Sequence, residues 1–369
     1  MRLTDILLKW YDGCKRNLPW RKDKDPYKIW VSEIMLQQTR VEAVKPYFEK
    51  WVERFPTLES LARAQEEEVI QYWQGLGYYS RARNLLQGVR EVAATYGGQV
   101  PSNRCEVIGL SGIGDYTAGA ILSIAYNKRE PAIDGNVLRV FSRLYDIHED
   151  ISSPKVKAQI RTLVEREMAE DRPGDFNQAL MDLGAMICIP KAPRCGECPL
   201  EGCCKAKKKG VQQQLPVKKK KTPPLPVRLM AGILQKDECF LLRQRPKKGL
   251  LAGMWEFPAV EIPLGEDVLH IFERNFLHTT GQKIEARSLL LQLIHTFSHR
   301  RWDITFYHCT GNFSSSDTGK DLYWVDKKDW DHYSFAGPHR KMASYLLEGE
   351  IAERRAETEI GKAQFIERW

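Results

Sequence analysis

The chain of 369 residues is 43% hydrophobic with a mean hydropathy of −0.45, and no apolar run reaches the roughly 18 residues of a membrane helix, which excludes a helical membrane protein. Met1-Arg2-Leu3-Thr4-Asp5 has no signal-peptide pattern, and nine cysteines, an odd number, argue against a disulfide framework, so reduced thiols in a cytoplasmic protein are expected. The formal charge of +8 is local: Gly202 to Arg228 holds nine of the 56 Lys and Arg residues and no acid, leaving 47 basic against 48 acidic residues elsewhere. Such a run reads as a solvated linker, and beside a metal loop it can also track a phosphate backbone.

The length suffices for two domains, each with its own core. Residues 1–205 carry helical signals almost throughout, as at 56–62 and 154–160, where a proline precedes apolar positions at helical spacing. An all-α domain is expected there. Within it, the stretch 107–121 places a glycine-rich turn between two helical segments. Gly112 and Gly114 permit positive φ and let backbone N–H groups approach a ligand, for which a phosphate is the natural guest; a plain helix-helix connection is the other reading. Next, Asp134 interrupts an apolar approach and is followed by Gly135, Asn136 and a new amphipathic stretch, the setting of a helix N-cap or of a reactive carboxylate.

The all-α region closes on Cys188, Cys195, Cys198 and Cys204, spaced C-x6-C-x2-C-x5-C. Thiolates packed this closely suit a soft metal centre, and the x6 and x5 gaps fit the paired C-x2-C knuckles of structural zinc poorly. Cys203 beside Cys204 leaves the fourth ligand open on spacing alone. Residues 206–226 are basic and proline-rich and read as an extended linker. An α+β domain is expected over 227–349, with strands at 227–234, 240–245, 289–297, 302–310 and 322–325 and helices near 266–280 and 338–349. The heavily charged residues 350–369 read as a tail.

Hairpin glycines, then an aspartate, then this four-cysteine loop: in that order, residues 5–205 resemble the helix-hairpin-helix DNA glycosylase superfamily, in its iron-sulfur branch. The resemblance implies one [4Fe-4S] cluster on Cys188, Cys195, Cys198 and Cys204, a DNA phosphate held at Gly112 and Gly114, and stabilisation of a sugar cation by Asp134, with Asn136 beside it. Ser111 departs from the proline usual in the family, with little loss expected because the turn works through backbone amides. Bifunctional relatives resembling endonuclease III carry a Schiff-base lysine two residues after the hairpin's last glycine. This chain has Tyr116 there, as the adenine glycosylase branch does, and a phenol cannot form that adduct.

The same branch carries the motif at 30–40. On a helix Glu33 shares a side with Trp30 and Leu36, and an apolar setting raises a carboxyl pKa, as a proton donor near neutral pH requires. By resemblance, Gln38 and Tyr78 enter the base stack, while Trp20, Arg21, Leu36 and Gln178 line the adenine pocket; relatives often have glutamate at the place of Gln178. The stretch 249–258 resembles the Nudix-type domain of this branch. Its following helix offers only Glu273 where a magnesium-dependent pyrophosphatase needs R-E-x-x-E-E, so no such activity is expected. Phe297-Ser298-His299 matches the F-S-H loop that reads 8-oxoguanine. The implied protein is a monomeric, monofunctional adenine DNA glycosylase of base excision repair, acting on double-stranded DNA with A:8-oxoguanine or A:G mispairs and associated with the nucleoid. A bifunctional pyrimidine glycosylase and a catalytically silent DNA-binding module are the alternatives.

Overall fold

A computed structural model describes residues 2–219, 223–263, 268–297, 299–311 and 321–348; Ser298, the tail 350–369 and linker residues 220–222 lie outside it. The chain divides into two compact units, Met1–Lys220 and Lys221–Trp369. Among the described residues no helix is long and apolar enough to cross a membrane.

The first unit is helical: α1 (Leu3–Cys14), α2 (Pro26–Leu36), α3 (Val41–Arg54), α4 (Leu58–Ala62), α5 (Glu66–Tyr72), α6 (Ser80–Thr95), α7 (Arg104–Gly109), α8 (Asp115–Ile124), α9 (Gly135–Tyr145), α10 (Pro154–Glu167), α11 (Pro173–Met186) and α12 (Lys205–Lys209). Several starts are written locally. Asp25 accepts a hydrogen bond from the Tyr27 amide ahead of Pro26, Asn103 accepts from Cys105, and Asp134 accepts from Val137. One lobe centres on the fully buried indoles of Trp30, Trp51 and Trp73. The other gathers Leu7, Val140, Phe141, Ile160, Phe176 and Leu183 from α1 and α9 to α11. Helix α8 joins the lobes, packing on α2 from one side and on α11 from the other.

Close packing on α8 is enforced at Gly119, where an added Cβ would lie 2.2 Å from the Pro131 carbonyl oxygen. Backbone cannot yield as a flexible side chain can, so Gly119→Ala is expected to lower stability by about 1–3 kcal/mol through overpacking. Urea unfolding monitored by circular dichroism measures it, and an unchanged midpoint would contradict the packing account.

The segment read as a linker differs in two respects. It starts inside α12, and it stays packed on the first unit: Leu215 is buried, its carbonyl accepts from Arg143 Nε at 2.9 Å, and the Val217 carbonyl accepts from the Ile151 amide. It also ends inside a strand, since β1 begins at Leu225. Pro226 is tolerated because β1 has a neighbour on one side only at that level.

The second unit contains β1 (Leu225–Ile233), β2 (Gln235–Lys236), β3 (Cys239–Gln244), β4 (Trp255–Glu256), β5 (Ala259–Glu261), α13 (Val268–Thr280), β6 (Glu285–Thr296), β7 (Arg300–Thr310), β8 (Leu322–Asp326) and α14 (Gly337–Glu348). One sheet runs β5-β1-β7-β6 with β1 and β7 parallel; the other sets β2, β4 and β8 antiparallel to β3. Period-two alternation serves two cores. Leu229, Ala231 and Ile233 pack with Met342 and Leu346 of α14, while Met230 and Leu234 pack with Ile271, Phe272 and Phe276 of α13. The α+β expectation holds for this unit; the short β2, β4 and β5 are too brief to register as alternation.

Candidate active site and metal centre

Glu33 sits in the last turn and a half of α2 with 5% of its surface exposed, and its Oε2 accepts a hydrogen bond of 2.5 Å from the Tyr116 hydroxyl on α8. Burial pushes its pKa up to about 7, opposed by the Tyr116 bond and reinforced by the charge of Asp134. Burial likewise holds the Tyr116 phenol well above its ordinary value, so it stays a donor. Around this pair lies a pocket lined by Trp20, Arg21, Leu36 and Gln178, together with Ser32 and Met181. Trp20 is braced edge-on against Phe48 with ring centroids 5.5 Å apart. Arg21 is held by a bidentate pair with the fully buried Asp182, at 2.8 and 3.0 Å, and Arg16 shares the same carboxylate.

Asp134 is the N-cap of α9. Its Oδ1 accepts from the Val137 amide at 2.8 Å and its Oδ2 from Asn136 Nδ2 at 2.7 Å. Burial raises its pKa, and these two donors work against the rise. The fully buried Asn177 on α11 bonds the Glu130 carbonyl and the Ala132 amide, fixing the segment that delivers Asp134. A hydrogen-bond chain then leaves the site: Arg139 donates to Asn136 Oδ1 at 2.8 Å and to the carbonyls of Gly184 and Cys188, both at 2.8 Å.

Gly112 adopts φ +80°, and a Cβ there would lie 2.7 Å from the Asn84 Cβ, so glycine is required by both conformation and space. Gly114 differs from the sequence expectation. Its φ is −105°, an extended value open to any residue, and nothing lies within 4 Å of its virtual Cβ. It opens α8 as N-cap, leaving room for a ligand before the helix. Ser111 uses both the amide that a proline would lack and its hydroxyl, donating to the Glu91 carboxylate at 2.9 and 2.7 Å. Gln38 and Tyr78 are exposed in separate loops and share one backbone feature, left-handed φ values of 61° and 47°.

Cys188, Cys195, Cys198 and Cys204 line one cavity, whereas Cys203 is exposed and outside its lining. Among the described residues no three of His, Cys, Asp or Glu converge closely enough for a single ion. The wall carries Arg143, whose fully buried guanidinium donates to the carbonyls of Cys188, Ile189, Pro190 and Leu215 and, at 3.3 Å, to the Cys188 sulfur. A buried cation without a carboxylate is unfavourable unless negative charge stands near. An anionic, thiolate-ligated group fits beside a guanidinium so placed.

In the second unit, Phe297 follows β6 and His299 precedes β7. Phe297 packs edge-on against Trp302 at 4.8 Å and bonds the Arg300 carbonyl through its amide, while His299 is exposed. Glu273 on α13 accepts from the Ala286 amide at 2.8 Å. Sequence reading missed Asp182, Asn177, Arg139 and Met181. Spacing offered one signal, since Asn177, Gln178, Met181 and Asp182 occupy adjoining turns of α11, but their partners come from elements 45 to 166 residues away.

Residues 31–166 match the HhH-GPD superfamily of base excision DNA repair proteins, and residues 229–345 match the NUDIX domain. The adenine DNA glycosylase of Schizosaccharomyces pombe is 36% identical over 425 residues, covering 96% of this chain and 91% of that protein. That of Buchnera aphidicola subsp. Schizaphis graminum is 37% identical over 347 residues, 92% of this chain and 97% of its own length. A solved thermostable thymine-DNA glycosylase superposes with a TM-score of 0.52 at 30% identity, over 56% of this chain and 95% of its own.

Proposed function

The chain belongs to the adenine DNA glycosylases of the helix-hairpin-helix base excision repair superfamily, and on that footing we propose that it hydrolyses the N-glycosidic bond of adenine mispaired with 8-oxoguanine or guanine in duplex DNA. The carrying observation is a pair of buried carboxyls with different partners: Glu33, held by a phenol and titrating near neutrality, and Asp134, served by two N–H donors at a helix N-terminus.

Adenine leaves poorly as an anion, so Glu33 protonates a ring nitrogen as the bond to the sugar breaks. The Tyr116 bond occupies Oε2 and leaves Oε1 to carry that proton. Asp134 as a carboxylate stabilises, or captures, the oxocarbenium-like sugar, and water completes hydrolysis with Glu33 now acting as base. To reach this site the base leaves the duplex, Gln38 and Tyr78 filling its place, while Trp20, Arg21, Leu36 and Gln178 receive it. The backbone at Gly112 and Gly114 holds a phosphate, and the Phe297-Ser298-His299 loop reads 8-oxoguanine on the opposite strand. Tyr116 in the place of a Schiff-base lysine makes the enzyme monofunctional.

Single-turnover release of free adenine from a duplex carrying A opposite 8-oxoguanine tests the reading. No release refutes it, and an adduct trapped by borohydride in high yield assigns the chain to the bifunctional lyases instead. The cysteine cavity would hold one [4Fe-4S] cluster, which would order the basic segment at 202–209 and take no part in excision. Purified protein should show iron-sulfur absorption in the visible, lost in Cys198→Ser; a colourless protein containing zinc would overturn the assignment.

A further inference from the structure

Arg81, in the first turn of α6, spends its two terminal nitrogens on five carbonyls from two separate segments, the end of α2 and the loop before α6. Nη1 donates to Ile34 at 2.7 Å, Met35 at 3.1 Å and Gln37 at 2.6 Å, all at the end of α2; Nη2 donates to Leu76 at 3.0 Å and Gly77 at 3.1 Å. Each cluster of carbonyls ends one residue before a side chain of interest, Gln38 in one loop and Tyr78 in the other. The guanidinium also lies over the rings of Trp73, at 5.2 Å, and Tyr78, at 5.7 Å. Both Gln38 and Tyr78 are non-glycine residues in left-handed conformation, each costing about 1–2 kcal/mol that the surroundings must offset. Among the described residues no carboxylate bonds this cation, so carbonyl dipoles and the two ring faces surround its charge, and burial lowers its pKa to about 10.

We propose that Arg81 is a positioning residue that couples Gln38 and Tyr78 into one wedge, so that the two enter the base stack together and expel the adenine. This rests on the reading that both side chains enter the duplex. A planar fork is the group suited to the task, because two nitrogens in fixed relation set the distance and orientation of two loops that share no hydrogen-bonded secondary structure. Lysine keeps the charge and loses the fork.

The test uses the full chain and a duplex with 2-aminopurine in place of adenine opposite 8-oxoguanine, whose fluorescence rises when the base unstacks. Wild type gives a fast rise on binding. Arg81→Lys should slow that rise about 100-fold, the penalty of a wedge misplaced by an ångström or so. Its affinity for the duplex should stay within a few-fold, and the pH dependence of its residual excision should be unchanged, because the cation and Glu33 both remain. A wild-type rise in Arg81→Lys overturns the coupling and leaves a charge effect alone. Gln38→Ala and Tyr78→Ala, both at exposed positions, provide a second arm that does not disturb the core. Under coupling their joint effect on the rise falls well short of the product of the single effects, whereas a simple product overturns the proposal. A wild-type protein with neither a rise nor adenine release would instead sink the glycosylase reading itself.

Discussion

Asp134→Asn abolishes adenine release while leaving lesion binding and fold in place. The amide is isosteric and is itself a good N-cap, so the Val137 amide keeps its acceptor and α9 keeps its start. What disappears is the negative charge proposed to act on the sugar, together with the acceptor for Asn136 Nδ2. Stabilisation of a developing cation in a water-poor site weighs heavily on the barrier, and the single-turnover rate should fall at least about 10³-fold. Gel-shift affinity for the A:8-oxoguanine duplex should hold, because phosphate contacts dominate binding and the hairpin is untouched. Activity equal to wild type would return the protein to the class of silent DNA-binding modules.

Glu33→Gln removes the proposed proton donor and should lower release by about 10²–10⁴-fold. The wild-type rate should decline as pH rises through about 7, where the carboxyl loses its proton, and the variant should lack this limb. Stability moves in the same direction. The folded pKa of Glu33, about 7, lies above its ordinary 4.5, so between these values the folded state binds the extra proton and stability falls as pH rises. Above pH 7 an ionised, buried Glu33 costs the folded state on the order of 3 kcal/mol relative to a neutral group. Glu33→Gln should therefore unfold at higher urea than wild type at pH 8 and at nearly the same urea at pH 4. A variant less stable at both would contradict the burial account. The Tyr116 bond lowers the Glu33 pKa, so it tunes the donor toward neutrality instead of setting its rise.

Much of the molecule was legible as chain order. Helical spacing through residue 205 and alternation beyond 227 give the fold class without coordinates, because each is a local pattern dictated by backbone period, and the succession of hairpin glycines, Asp134 and four cysteines carries the resemblance to the family. Legibility failed where a residue's role lies in distant partners. The linker packs because Arg143 needs the Leu215 carbonyl, a pairing across 72 residues, and no composition rule reveals it. Gly114 carries the same letter as Gly112, yet only Gly112 needs positive φ, since only there does the turn fold back over Asn84.

Composition and period decided that a helical domain is followed by an α+β domain, because those properties belong to residues within a few positions of one another; the glycosylase family came from the resemblance of its motifs. Tertiary structure alone decided that Glu33 meets a phenol 83 residues away and titrates near neutrality, that Asp182 disappears beneath Arg21, and that a single guanidinium at Arg81 ties two loops. Burial and hydrogen bonding set proton affinity and position, and both are properties of neighbours in space, which a sequence does not state.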